Sequence, residues 1–554
     1  MWLNEADEFS EIFKGFFPFY LLLALPLFII ISPVNPVGAS YEFPISRMQQ
    51  YDLHGVPHGC RSAPVNLEAR SLSGWSTSRH CVVARLQDIS AEHFREIRSK
   101  AGALLVVLPK DIETLPQSEK QILMDLEKVM LSQEVFIPVY FATWTPELQD
   151  IVDDVANSMV TDEKAGTAAQ ALLNSVSANG YQIVINTNKA VPKTDVHIAS
   201  IQGKLIGHGV EDKMPTIAIV AHYDSFGVAP ELSFGADSNG SGVAMLLELA
   251  RLFSHLYANT QTHARVNLLF LLSGGGKLNY QGSKKWLEDQ LDGVDASLLQ
   301  EANFILCLDT VGGANSLYFH VSKPPRDNSP GANFLKELKS VKSNVPVEVV
   351  HKKINLAEEV LAWEHERYSI RKLSAFTLSS LKTHKQPLRS TILDTKSSVD
   401  ISQLARNTEI VAQALARHIY NLSADTFPFS KPMGVEADSL KTYIEFLTAQ
   451  PRSAQLLADK NNPLVLALSQ LLSGYIKDVK VSYQTPDKRD PEFVFYDITK
   501  AIVNVYSVKP AVFDLFLTFA IVIYLTIVYV FIQGFPKLYS VMLRFTTQKK
   551  SKTY

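Results

Sequence analysis

Three cysteines in 554 residues, Cys60, Cys81 and Cys307, are too few for a disulfide scaffold, so the chain must hold itself together by burying apolar surface. A net charge of -3 leaves no overall basic character for a nucleic-acid partner. There is no internal repeat and no low-complexity tract, which excludes a solenoid and a disordered linker protein. No Gly-x-x-x-x-Gly-Lys-Ser/Thr occurs, so the glycine run Ser273–Gly276 before Lys277 reads as a tight turn, not a phosphate cradle. A Gly-x-Ser-x-Gly nucleophile elbow is also missing.

Long apolar runs are scarce, and the two present set the topology. Phe16–Ile31, interrupted by Pro18 and Pro26, leads to the small residues Gly38-Ala39-Ser40. This is the pattern of a secretory signal over residues 1–40, cut between Ser40 and Tyr41; its acidic start (Glu5, Asp7, Glu8, Glu11) keeps an uncleaved anchor open. Leu515–Ile532 carries no charge, and the stretch 512–532 is long enough to span a bilayer core of roughly 30 Å. The tail 533–554 has Lys537, Arg544, Lys549, Lys550 and Lys552 with no acidic residue, which predicts a cytosolic end and a lumenal bulk, a single-pass type I arrangement. Lys550 and Lys552 fit a Lys-x-Lys-x-x retrieval signal of the endoplasmic reticulum, against a plain basic stop-transfer tail. Sequons at Asn239 and Asn421 suit a lumenal chain.

Between these ends the length exceeds what one core supports. Residues 41–160 show an α/β lobe with strands Ala103–Leu108 and Val135–Phe141 around a helix Ser118–Leu131. Cys60 and Cys81 either form one disulfide there or stay free, and Cys307 lies in an apolar strand as a buried thiol. Residues 165–425 alternate apolar strands with helices: Thr216–Ala221, Val266–Leu272 and Phe304–Leu308 against Gly242–Tyr257, Ser283–Leu291 and Ser402–Tyr420. That alternation predicts a mostly parallel sheet with helices on both faces, its site outside the carboxyl ends of the strands. Residues 430–505 mix a helix at Leu440–Ala449 with strands at Val479–Tyr483 and Phe493–Tyr496, a segment expected to pack on the core just before the membrane.

Five stretches fall at these strand ends: His222-Tyr223-Asp224, Gly235-Ala236-Asp237-Ser238-Asn239-Gly240-Ser241-Gly242, Ser273-Gly274-Gly275-Gly276-Lys277, Asp309-Thr310-Val311-Gly312 and Ser390-Thr391-Ile392-Leu393-Asp394-Thr395. In order and setting they resemble the co-catalytic zinc peptidase family, which includes bacterial leucyl aminopeptidases, glutamate carboxypeptidase II and the degenerate nicastrin. The resemblance implies that His222 and Asp309 occupy retained ligand positions, with Asp224 orienting His222. It puts Ser238 at the bridging carboxylate, Gly276 at the general base, Lys277 at the next glutamate ligand and Ser390 at the last histidine. A shifted alignment would enlist His384 instead. Two zinc ions roughly 3.5–4 Å apart need bridging and anionic ligands, and hydrolysis needs a carboxylate base. Ser238, Gly276 and Lys277 supply neither, so a pseudoenzyme without metal or cofactor is expected.

The whole layout resembles the nicastrin-like members of that family. This resemblance implies a non-catalytic subunit in the endoplasmic reticulum membrane. Its implied partners are a large Nomo-like lumenal protein, a small multipass membrane protein, and the translocon with its multi-pass membrane clients. Two other readings stay open: a lumenal peptide receptor using the old cleft, and a residual metallo-aminopeptidase using His222, Asp309 and His384.

Overall fold

The computed structural model describes residues 41–163, 180–209, 214–292, 302–313, 316–341, 345–423 and 433–508, with further positions at 426, 428–429 and scattered between 515 and 541. The expected signal 1–40 and the tail lysines Lys550 and Lys552 lie outside the described residues. Of the expected span 512–532, residues 521–530 are helical and most of the remainder is also outside. Among the described residues no helix is long and apolar enough to cross a membrane.

The first part of the chain forms β1 (Tyr41–Arg47), β2 (Gln50–Leu53), β3 (Val56–Gly59), β4 (Val65–Arg70) and β5 (His80–Arg85). Then come α1 (Ala91–Lys100), β6 (Ala103–Val107), α2 (Gln117–Leu131), β7 (Val139–Ala142), α3 (Pro146–Glu163) and β8 (Gly180–Ile185). The second strand expected in this lobe starts late, at Val139: Pro138 has no N–H to give a ladder, and Val135 makes only an isolated bridge to Cys60. The central part supplies β9 (Ile198–Leu205), β10 (Thr216–His222), α4 (Gly242–Ala258), β11 (Asn267–Ser273), α5 (Gln281–Asp292) and β12 (Ala302–Leu308). It continues with β13 (Leu317–Val321), α6 (Pro330–Ser340), β14 (Val347–His351), α7 (His365–Ile370), β15 (Ala375–Ser379) and α8 (Ile401–Tyr420). Last are α9 (Ala437–Thr448), α10 (Pro463–Tyr475), β16 (Asp478–Gln484), β17 (Phe493–Phe495) and β18 (Lys500–Val508).

The central sheet runs β14-β13-β15-β12-β10-β11-β9-β16. Its middle is parallel, β11-β10-β12-β15, but β9, β16 and the β13–β15 pair are antiparallel. The sheet is therefore mixed, where the sequence pattern predicts a mostly parallel one; the direction of the flanking strands is set by long-range pairing that leaves no local pattern in the sequence. Helices do cover both faces, and the period of two along each strand shows why. Ile217, Ile219 and Ala221 of β10 join the core under α4 and α8, while Ala218 and Val220 face Trp286, Leu287 and Tyr368 from α5 and α7. Leu268, Phe270 and Leu272 of β11 divide from Leu269 and Leu271 in the same way.

The companion lobe is a closed barrel in the order β1-β18-β8-β4-β5-β6-β7. Its parallel arc β4-β5-β6-β7 is sealed by antiparallel β8, β18 and β1. The residues from 433 to 508 are shared between the central sheet and the barrel. α9 and α10 pack into the central core, β16 extends the central sheet, β17 pairs with β2, and β18 enters the barrel. Cys60 and Cys81 sit in different apolar clusters on the two sides of the barrel sheet, and both thiols are free. Cys60 Sγ donates to the Ile137 carbonyl at 3.1 Å, so no disulfide joins them.

Candidate functional site

β10, β11 and β12 end side by side, and their carboxyl ends deliver His222, the 274–277 turn and Asp309 to one place. The turn exists because Gly275 adopts a positive φ of 62°, open to glycine without strain. Gly276 follows under a tighter limit: a Cβ added there would collide with the His222 ring. A glutamate at 276 is thus excluded by the side chain already present.

His222 is buried, and its Nδ1 lies 3.2 Å from Glu364 Oε2. The Nδ1 edge faces this carboxylate, and Nε2 has no hydrogen-bond partner among the described residues. Glu364 also accepts from Ser273 Oγ at 2.7 Å and Ser283 Oγ at 2.6 Å. The orienting role that the resemblance gives to Asp224 therefore belongs to Glu364. Asp224 instead accepts the backbone N–H of Gly276 (2.7 Å) and of Lys277 (3.0 Å), pinning the turn.

The loop before α4 follows the same pattern. Asp394 accepts from the N–H groups of Asp237 (2.9 Å) and Ser238 (2.8 Å), and Asp237 accepts from Gly312 N at 2.8 Å. Burial, then the neighbouring Asp394, pushes the Asp237 carboxyl up to about 7. The Ser238–Asn239 peptide is cis. Asn239 is fully buried, and its Nδ2 donates to the carbonyls of His222 (3.0 Å) and Leu308 (2.9 Å). A glycan on that nitrogen is incompatible with this fold, which corrects the expectation at Asn239. Asn421 is exposed at the end of α8. Arg452 from the α9–α10 connection donates to the carbonyls of Phe234 (3.0 Å) and Gly235 (2.6 Å), tying that later segment to the site.

Two cations occupy the centre. Lys277 Nζ donates to Ser238 Oγ at 2.7 Å and to the Arg389 carbonyl at 3.0 Å. Burial and then the adjacent Arg389 lower its amine to about 8. Arg389, just before Ser390 in the turn Pro387–Ser390, reaches Asp309 Oδ2 at 3.0 Å. That approach is an ion pair whose alignment falls short of a hydrogen bond. Arg389 takes Asp309, and only the backbone of Lys277 meets Asp224. Burial alone would raise the Asp309 carboxyl, but Arg389, then Lys277 and His222, hold it down at about 2. Ser390 is half-buried beside Arg389, and His384 packs edge-on to Trp363, 6.4 Å between ring centres.

The sequence positions expected at the site are therefore brought together, with Ser390 adjacent and His384 on the outer Trp363 wall. Sequence reasoning missed Glu364, Arg389 and Arg452. Only Arg389 carried a signal, as a cation next to a position the motif reserves for a metal ligand. Among the described residues no group of three or more His, Cys, Asp or Glu is arranged to hold a metal. The donor chemistry fits zinc poorly: His222 Nε2, Asp237 Oδ2, Asn239 Oδ1 and Asp309 Oδ2 lack hydrogen-bond partners, but an ammonium and a guanidinium lie among them and the guanidinium already pairs with Asp309.

Residues 203–414 match Peptidase family M28. Over the full length the chain is 48% identical to "BOS complex subunit NCLN" of Homo sapiens, covering 99% of this chain and 100% of that one. It is 30% identical to "Nicalin" of Caenorhabditis elegans, covering 94% and 96%. Among solved structures it is similar in fold to the γ-secretase component nicastrin, with a TM-score of 0.58 at 12% identity over 85% of this chain and 100% of that chain.

Proposed function

We propose, because the chain belongs to the nicalin family, whose vertebrate members are named BOS complex subunit NCLN, that it is a non-catalytic subunit of a membrane protein complex. Its M28-like domain serves there as a folded platform. The observation that carries this reading is how the polar groups at the motif positions are used. Asp224, Asp394 and Asn239 hold backbone N–H and carbonyl groups of neighbouring loops and so fasten the loops to one another, while the positions that the motifs reserve for a base and for metal ligands hold Gly276, Lys277 and Ser238. Buried polar groups satisfied in this way make a loop cluster rigid.

The finer assignment follows the sequence. The retrieval pattern at Lys550 and Lys552 supports residence in the endoplasmic reticulum, and the apolar stretch 512–532 supports a single span with a lumenal bulk. In that setting the complex acts beside the translocon in the biogenesis of multi-pass membrane proteins. Its other members are a Nomo-like lumenal protein and a small multipass membrane protein. Affinity purification of the tagged full chain from membranes in mild detergent tests the assignment. Stoichiometric recovery of membrane partners with wild type is expected. Recovery of the chain alone, at a yield showing it folded, would remove the subunit reading.

A further inference from the structure

We propose that Arg389 is the built-in counter-ion of the remnant site: its guanidinium takes the position at which this fold holds a metal cation, and it closes the cleft on itself. Asp309 directly follows the central strand β12, with its carboxylate buried. One oxygen accepts the N–H of Thr310 at 3.0 Å, and the other faces the Arg389 guanidinium. A buried carboxylate needs a positive partner at that point, and in a metallopeptidase site the partner is the metal ion.

The guanidinium is held for this role from three further sides. Nη1 donates to the Ala362 carbonyl at 3.1 Å, Nη2 donates to the Tyr280 hydroxyl at 3.0 Å, and the plane lies over the Trp363 ring at 4.6 Å. Such a fork, fixed by packing and hydrogen bonds, is pre-organised in a way that a loose lysine is not. Lys277 supports it by donating to the Arg389 carbonyl, fastening the turn that carries the guanidinium.

Two consequences follow. A metal ion cannot enter without displacing a fixed cation, so the disagreement between the zinc fold and these residues has a structural cause beyond the loss of ligands. A peptide carboxylate finds the guanidinium already engaged, which removes the anchor that a terminus-binding receptor would need. Neither consequence rests on assembly of the chain into a complex.

Thermal unfolding of the full chain in detergent tests the proposal with wild type, Arg389→Ala and the double variant Asp309→Asn/Arg389→Ala, each with and without zinc chloride. Arg389→Ala should melt several degrees below wild type, and the double variant should regain most of the loss because it removes the stranded charge. Zinc should raise the melting temperature of Arg389→Ala alone. Where Arg389→Ala does not fold, folding of the double variant supports the pair, and failure of both overturns it. Wild-type melting by Arg389→Ala, or a zinc shift in wild type as large as in the variant, would also overturn it. Recovery by Asp309→Asn with no response of Arg389→Ala to zinc would sink the claim that the guanidinium occupies the cation position.

Discussion

At the scale of single residues, His222 and Asp309 keep their motif identities but have changed company, one facing Glu364 and the other Arg389. The second change has a pH signature. Asp309 is held at about 2 against a usual value of 3.8, so its contribution to stability is complete above about 4 and lost as pH falls through about 2. The contribution amounts to roughly 2 kcal/mol, at 1.36 kcal/mol per pKa unit. Asp309→Asn should therefore flatten the acid limb of a melting-temperature profile relative to wild type, and parallel acid limbs would refute this. Asn239 gives a second expectation. With its amide committed to two carbonyls, the folded protein should carry no glycan there, while exposed Asn421 should be modified. Glycopeptide mass spectrometry reads both sites, and occupancy at Asn239 in folded protein would contradict the geometry. The sequence revealed which site positions hold unsuitable residues, since that needs only the motifs. It did not reveal that Arg389 rather than Lys277 meets Asp309, because that depends on how the Pro387–Ser390 turn is aimed.

At the scale of elements, the central strands were legible because each is a short, continuous apolar run buried on both faces, Leu268–Leu272 of β11 being the clearest. β1, with Pro44 and alternating exposure, and β18, its apolar run broken by Asn504 and Ser507, gave no comparable signal. Leu269→Asp would place a charge inside β11 against Trp286 and should abolish folding, as several kcal/mol of unpaired burial exceed ordinary stability margins. A soluble, cooperatively melting variant would be the contrary result. α2 makes a less obvious link. Its buried Glu127 accepts from Ile392 N at 3.1 Å with Thr391 beside it, so a companion-lobe helix holds the segment that carries Arg389 and Asp394. Burial raises that carboxyl to about 8, which makes its contribution full below the usual 4.5 and lost as pH rises through about 8. Glu127→Gln should remove this decline across the span from about pH 4.5 to about pH 8. Identical stability profiles of the two proteins between about pH 4.5 and about pH 8 would refute the link.

At the scale of the whole molecule, the chain returns on itself. β18 pairs with β1 and β8 over Lys500–Val508, so the barrel that opens at Tyr41 is closed by residues more than four hundred positions later. This closure was invisible in the sequence, where residues 41–160 and 430–505 read as separate units, because strand partnership at such separation leaves no local pattern. Both lobes are thereby joined: α2 packs with Ile392 and Leu393 in one apolar cluster, and β16 from the same late region extends the central sheet. If the molecule works as a platform, assembly should follow the integrity of this closure and not the identities in the old cleft. Val503 and Val505 are fully buried in the barrel, so replacing both by Asp should open it and abolish recovery of membrane partners. His222→Ala removes the open imidazole and leaves the Asp309–Arg389 pair in place, so it should retain both folding and partner recovery. Paired affinity purifications of the two variants, normalised to wild type, decide the matter. Loss of partners from a normally melting His222→Ala protein would show that the cleft itself is read by a partner, and the platform reading would give way to the peptide-receptor one.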